Sequence, residues 1–249
     1  MKTLLTLSYD GTNYAGWQVQ ENAVTVQQIL NEALARLFSR GAVRTIGGSR
    51  TDAGVHASDQ KCLILSPERH NIPLQNLPHA INAFLPQDIR VMSAELVVDD
   101  FHPLRMPCIK TYAYRVYNAL IVPPKHRLYT AHERRRLNVG AMQTAASFFV
   151  GKFDFVGFSS AGSSAMTTVR EVYSCNISKE GEIITLEISG NGFLYNMVRI
   201  IAGTLVHVGL GKIMPEGIPA IIRSRRRELA GPTMPASGLE LFKVVYAGC

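Results

Sequence analysis

At 249 residues, 47% hydrophobic and 18% charged, the chain is long enough for one large domain or two small ones, and too apolar to be disordered. A formal charge of +7 favours a polyanionic partner, nucleic acid or an acidic membrane surface, but carries no base-reading information. There is no apolar run of about 18 residues to span a membrane, and Met1-Lys2-Thr3-Leu4-Leu5 runs into Ser8-Tyr9-Asp10 without a signal-peptide core, so a cytoplasmic protein is expected. Cys62, Cys108, Cys175 and Cys249 are scattered with no C-x-x-C pair, and the histidines form no H-E-x-x-H. Neither a disulfide frame nor a metal is expected.

Residues 3 to 9 alternate, with Leu5, Leu7 and Tyr9 on one face, which predicts a strand broken by Asp10-Gly11-Thr12-Asn13. Thr25 and Gln28 make a capping box and Val24 is set to staple onto Ile29. The helix they start carries Val26, Ile29, Leu30, Ala33, Leu34, Leu37 and Phe38 on one face. After Gly41 a strand is expected over about 43 to 47, then a loop, then an apolar strand Cys62-Leu63-Ile64-Leu65. A helix over about 74 to 84, stopped by Pro86, and a strand from Ile89 to Val98 follow.

The second half repeats this order. A strand over about 111 to 118 puts Tyr112, Tyr114 and Val116 on one face, and a helix over about 135 to 149 carries Leu137, Ala141, Ala145 and Phe148. Strands at about 169 to 178 and 182 to 189 are joined by Lys179-Glu180-Gly181-Glu182. Helices over about 194 to 209 and 216 to 227 and a strand from Leu239 to Tyr246 complete the chain. Two βαββαβ halves, residues 1–105 and 106–249, define an α+β protein of ferredoxin-like, RNA-recognition-like units with a cleft between them. The duplication rests on element order alone.

Chemistry concentrates in Gly47-Gly48-Ser49-Arg50-Thr51-Asp52-Ala53-Gly54-Val55-His56-Ala57. If this backbone is extended, Arg50 and Asp52 point to one side, and a guanidinium there holds a carboxylate ionised and oriented as a nucleophile. An Asp among Gly and Thr also commonly caps a helix or closes an Asx-turn. No Gly-Lys-Ser/Thr follows, so this is not a P-loop. Arg199 lies in the apolar stretch Phe193 to Ile201 and needs a partner, for which Asp52 or an RNA phosphate is suited. Arg134-Arg135-Arg136 and the arginines at 223 and 225 to 227 are either solvated helix ends or polyanion contacts. Tyr112 or Tyr114 is core or stacks on an extruded base, and periodicity does not choose between them. His56 and His102 are surface polar residues or RNA contacts. Nothing marks Asp59 as the second carboxylate a glycosidase needs. One carboxylate with a cationic partner suits chemistry without net hydrolysis.

Ser8-Tyr9-Asp10-Gly11-Thr12-Asn13-Tyr14-Ala15-Gly16-Trp17-Gln18, Thr25-Val26-Gln27 and Ser49 to Ala57 resemble the tRNA pseudouridine synthase A family. Asn82 to Pro86, Asp88 to Val91, Lys110 to Tyr114, Phe193 to Arg199 and Gly238-Leu239 match in the same order. The resemblance implies isomerisation of uridine to pseudouridine at positions 38 to 40 of the tRNA anticodon stem-loop, by a homodimer, with no cofactor or metal and no membrane. It implies Asp52 as nucleophile, Tyr112 against the target base, Arg50 and Arg199 as cations around the carboxylate, and one continuous sheet crossed by the active-site cleft. Three departures stand out. Asp59-Gln60 replaces Gly-Gln, Phe101-His102-Pro103-Leu104-Arg105 shifts an arginine by one place, and Phe153-Asp154-Phe155 replaces His-Asp-Phe.

Overall fold

The computed structural model describes residues 2–39, 42–65, 72–162 and 165–247, so Gly41 and Cys249 lie outside it. One unit comprises Met1–Cys108 with Leu241–Cys249, and the other Ile109–Glu240. The first contains β1 (Lys2–Tyr9), α1 (Val26–Leu37), β2 (Thr45–Gly47), β3 (His56–Ile64), α2 (Leu77–Asn82) and β4 (Ile89–Val97). The second contains β5 (Cys108–Tyr117), β6 (Ala131–His132), α3 (Val139–Ser147), β7 (Gly151–Asp154), β8 (Val169–Glu180), β9 (Ile183–Gly190), α4 (Met197–Gly209) and α5 (Ile218–Ser224). The last strand, β10, is Leu239–Tyr246. The α+β class expected from the sequence holds.

In the first unit β1 lies between β3 and β4, antiparallel to both, with Leu5 opposite Cys62 on one side and Ala94 on the other. Its alternation is weaker than the sequence suggests, because Leu4, Leu5, Thr6 and Leu7 are all buried. Successive strand residues face opposite ways, so a central strand covered on both faces buries them all. β2 pairs with β3 from Thr45 opposite Ile64 to Gly47 opposite Cys62, and β10 also neighbours β3. β3 is longer than its apolar part, starting at His56 immediately after the chemistry-bearing loop.

α1 buries Val26, Leu30, Ala33 and Leu34. Burying one such aliphatic side chain contributes about 1.5–3 kcal/mol. Only half of the expected capping box forms: the Thr25 hydroxyl accepts the Gln28 N–H at 3.3 Å, but the Gln28 amide donates to Glu32 at 2.9 Å instead of returning to the cap. Val24 remains 52% exposed, so the expected staple adds little. Burial of the helix face, more than its cap, holds α1 in place.

In the second unit the strand order is β5-β9-β8-β7, with antiparallel pairs throughout, and β6 runs parallel to β5. α3 begins later than its apolar spacing suggests because Asn138 caps it, accepting the Ala141 N–H at 3.1 Å. Arg134 to Arg136 therefore sit in the preceding loop. α4 likewise starts at Met197, after Asn196 adopts a left-handed φ of 62°. Burial pushes the thiols of Cys62 and Cys175 up to about 12, and Cys62, Cys108 and Cys175 are free thiols. Among the described residues no helix is long and apolar enough to cross a membrane.

Candidate active site

The loop between β2 and β3 is held by main chain and by close approach. Gly48 N–H donates to the Lys61 carbonyl at 2.7 Å, and the Thr51 carbonyl accepts the Trp17 N–H at 3.0 Å. The Asp52 carbonyl accepts the Val55 N–H at 3.1 Å, closing a turn in which Gly54 takes a φ of 77° and donates to the Tyr14 carbonyl at 3.2 Å. Thr51 turns inward, its hydroxyl 2.7 Å from the Tyr9 hydroxyl, while Arg50 is exposed and Asp52 half-buried. This in–out alternation is what an extended Arg50-Thr51-Asp52 run produces.

Residues 9 to 17 form the wall behind that loop. Gly16 has a φ of 93°, and a Cβ on it would stand 2.6 Å from the Thr51 carbonyl oxygen and 3.1 Å from the Asp52 carbonyl carbon. A Cβ on Gly11 would meet the Val55 carbonyl oxygen, and one on Gly47 the Trp17 ring. Trp17 is 2% exposed and stacks on Tyr9 with ring centroids 6.0 Å apart. The sequence alone gave these residues no chemical task. The signal that finds them is Asp-Gly-Thr-Asn-Tyr-Ala-Gly-Trp, two glycines spaced through an aromatic stretch, where another backbone must come close.

His56 is buried. Its Nδ1 accepts the Gly11 N–H at 3.1 Å and lies 3.2 Å from Asp10 Oδ1; that oxygen accepts from the Thr12 backbone and hydroxyl. It is a fixed component of this wall, not the surface residue expected of a loop histidine. His102 instead accepts locally from the Leu104 N–H at 3.3 Å. Asp59, the departure that adds a charge, is compensated: Lys61 lies 2.8 Å from one oxygen and the Val244 N–H donates to the other at 2.7 Å.

In the second unit Tyr112 lies on β5, 8% exposed, edge-on to Phe193 with centroids 5.2 Å apart. Tyr114 is fully buried and its hydroxyl donates to the Pro235 carbonyl at 2.8 Å; burial raises its pKa well above the ordinary tyrosine value, against a lowering by Arg199. Two tyrosines that periodicity leaves equivalent are thus distinguished, since Tyr114 is committed to the core. Arg199, in the first turn of α4, donates Nε to the Met234 carbonyl and Nη1 to the Asn196 side-chain oxygen, each at 2.7 Å. Both of these acceptors are neutral oxygens.

Three of the arginine-run charges are locally paired. Arg135 makes a fork to Glu133, Arg225 pairs with Asp154 and Arg226 with Glu228. Each of these three arginines is more than half exposed, where solvent screens such pairs and the surface stays available to a polyanion.

A family profile described as tRNA pseudouridine synthase matches residues 6–103 and 145–247. A tRNA pseudouridine synthase A of Ruminiclostridium cellulolyticum is 45% identical over 246 residues, 98% of this chain and 99% of the relative. One from Pelobacter propionicus is 45% identical over 99% of this chain and 100% of its own, and one from Geotalea uraniireducens is 41% identical over 97% and 98%.

Proposed function

The chain belongs to the tRNA pseudouridine synthase family, and on that premise we propose which of its residues carry the isomerisation of uridine to pseudouridine in tRNA. Asp52 is the nucleophile, Arg50 and Arg199 are the cations that keep a carboxylate ionised and stabilise developing charge, and Tyr112 packs against the target uracil. The observation that carries this reading is the Asp52 loop itself: a half-buried carboxylate on a backbone held by Tyr14, Trp17 and Val55, two residues from an exposed arginine. A carboxylate so held meets its substrate with little reorganisation.

The target uridine leaves its stack at an unstacking cost of about a few kcal/mol, which basic-surface contacts to phosphates offset. Asp52 attacks ribose C1′ or uracil C6, or assists cleavage to a glycal. The N1–C1′ bond breaks, the uracil turns, a C5–C1′ bond forms, the C5 proton departs and N1 gains one, so the product is an isomer of the substrate. Water must be excluded while the base is detached, because capture would leave an abasic site. The anticodon stem-loop, at positions 38 to 40, is the proposed target. A homodimer and a cytoplasmic location complete the proposal, with residues 1–105 supplying the Asp52 loop and 106–249 supplying Tyr112 and Arg199.

Tritium release from tRNA labelled at uracil C5, with free uracil assayed in the same samples, tests this. Wild type should release tritium without free uracil, mapped to the anticodon stem-loop, and Asp52→Asn should lose on the order of 10³-fold or more in rate. Full activity in Asp52→Asn removes it as nucleophile. Free uracil would make the reaction a hydrolysis.

A further inference from the structure

The β2–β3 ladder changes character where the chain turns toward Asp52. Main-chain pairing runs to Gly47 opposite Cys62, and Gly48 N–H reaches the Lys61 carbonyl. At Ser49 the partner becomes a side chain. Gln60 Nε2 donates to the Ser49 carbonyl at 2.7 Å, and Gln60 Oε1 accepts the Ser49 N–H at 3.2 Å. Gln60 is 0% exposed and Ser49 2%. The amide thus imitates one rung of a ladder while the backbone of β2 departs from β3.

An amide offers a donor and an acceptor together, as this rung requires; a carboxylate only accepts, and a thioether of similar length supplies almost nothing. Ser49 immediately precedes Arg50 and stands three residues before Asp52. The far side of the loop is held by Tyr14 and Trp17, so Gln60 supplies the grip on its entry. We infer that Gln60 is a positioning residue for the Asp52 reaction, its side chain fixing the main chain at Ser49 so that Arg50 and Asp52 are presented in one orientation. This rests on the isomerisation assigned to Asp52 above.

The test compares wild type, Gln60→Met and Gln60→Glu, at a temperature where melting curves show each fully folded. In Gln60→Met, kcat for tRNA isomerisation should fall on the order of 10²-fold, the scale of a roughly 1 Å misplacement. KM should stay within about threefold, because phosphate contacts made elsewhere are untouched. Gln60→Glu should recover relative to Gln60→Met as pH falls, since a protonated carboxyl again has a donor and an acceptor. Should Gln60→Met not fold, the pH profile of Gln60→Glu carries the test.

Hydrogen exchange of the Ser49 to Asp52 amides, read without tRNA, separates the two ideas. Faster exchange at Ser49 in Gln60→Met supports the clamp. Unchanged exchange overturns it whatever the activity, as does a wild-type kcat in folded Gln60→Met or a loss confined to KM. A wild-type enzyme that forms no pseudouridine while exchange still responds to Gln60 removes the reaction and leaves only a structural clamp.

Discussion

The Asp52 loop and the Arg199 segment are both built on main-chain carbonyls, but in opposite senses. In the loop, backbone holds backbone: the Trp17 N–H reaches the Thr51 carbonyl, the Gly54 N–H reaches the Tyr14 carbonyl, and the Val55 N–H closes on the Asp52 carbonyl. The side chains of Arg50 and Asp52 take no part in those bonds. Around Arg199 the side chain does the holding, its guanidinium joining α4 to the Met234 carbonyl and to Asn196, whose amide donates on to Ser160. The difference teaches that the main chain shapes the loop carrying Asp52, whereas at Arg199 a side chain has a structural task as well as a charge.

The sharpest way to break that contrast is to damage the loop from behind. Gly16→Ala puts a Cβ 2.6 Å from the Thr51 carbonyl oxygen at a φ of 93°. Strain of this kind costs about 1–3 kcal/mol, and a displaced Asp52 should lose on the order of 10²-fold in kcat. Asp52→Asn keeps the shape of the side chain and the main-chain bonds of the loop, so it should lower the melting temperature less than Gly16→Ala does. Thermal melting beside single-turnover rates checks both, and a Gly16→Ala enzyme with wild-type rate would show that the wall does not set the loop.

A smaller effect is expected at Arg199. Lysine keeps the charge but replaces a planar fork with a single ammonium, which does not reproduce both bonds. Arg199→Lys should therefore lose stability, about 1–3 kcal/mol in urea titration, together with about tenfold in rate. The segment it anchors is tightly laid on α4: a Cβ on Gly203 would strike the Pro232 carbonyl, and Thr204 accepts the Gly231 N–H at 2.8 Å while donating to the Ile200 carbonyl. Undiminished stability in Arg199→Lys would show that the guanidinium fork is not what joins α4 to Met234 and Asn196.

Sequence pattern reached the α+β class and most elements because apolar periodicity is local: the face of α1 and the strands around Leu5 and Ile188 are written in consecutive residues. It missed β6 and β7, which are too short to show a period, and set α3 early because a cap outranks apolar spacing. At the site, Arg50 and Asp52 were legible as neighbours in one motif. The wall of Gly11, Gly16 and Trp17 was not legible as architecture, since it depends on a contact between segments some 40 residues apart, as the separation of 42 between Tyr9 and Thr51 illustrates. Gln60 was noticed only as the neighbour of the Asp59 departure, and its task was not legible for a related reason: a buried amide bonded to a main chain leaves no hydrophobic pattern. Arg199 was read as needing a partner such as Asp52 or a phosphate, and its bonds to the Met234 carbonyl and the Asn196 side chain were not legible because they join it to residues that show no pattern.

Ser49 gives the smallest expected effect and the most direct test of which part of the loop matters. Its backbone is clamped by Gln60, but its hydroxyl is buried with no hydrogen-bond partner among the described residues. A buried, unpaired hydroxyl carries a desolvation cost of about 1–3 kcal/mol. Ser49→Ala removes that group and keeps the N–H and carbonyl that Gln60 holds. The variant should therefore melt no lower than wild type, and its Ser49 to Asp52 amides should exchange at wild-type rates, in contrast to Gln60→Met. A lower melting temperature would mean that the hydroxyl, and not the main chain alone, helps to fix the entry of the loop. The side-chain partner it would then need becomes the next group to find.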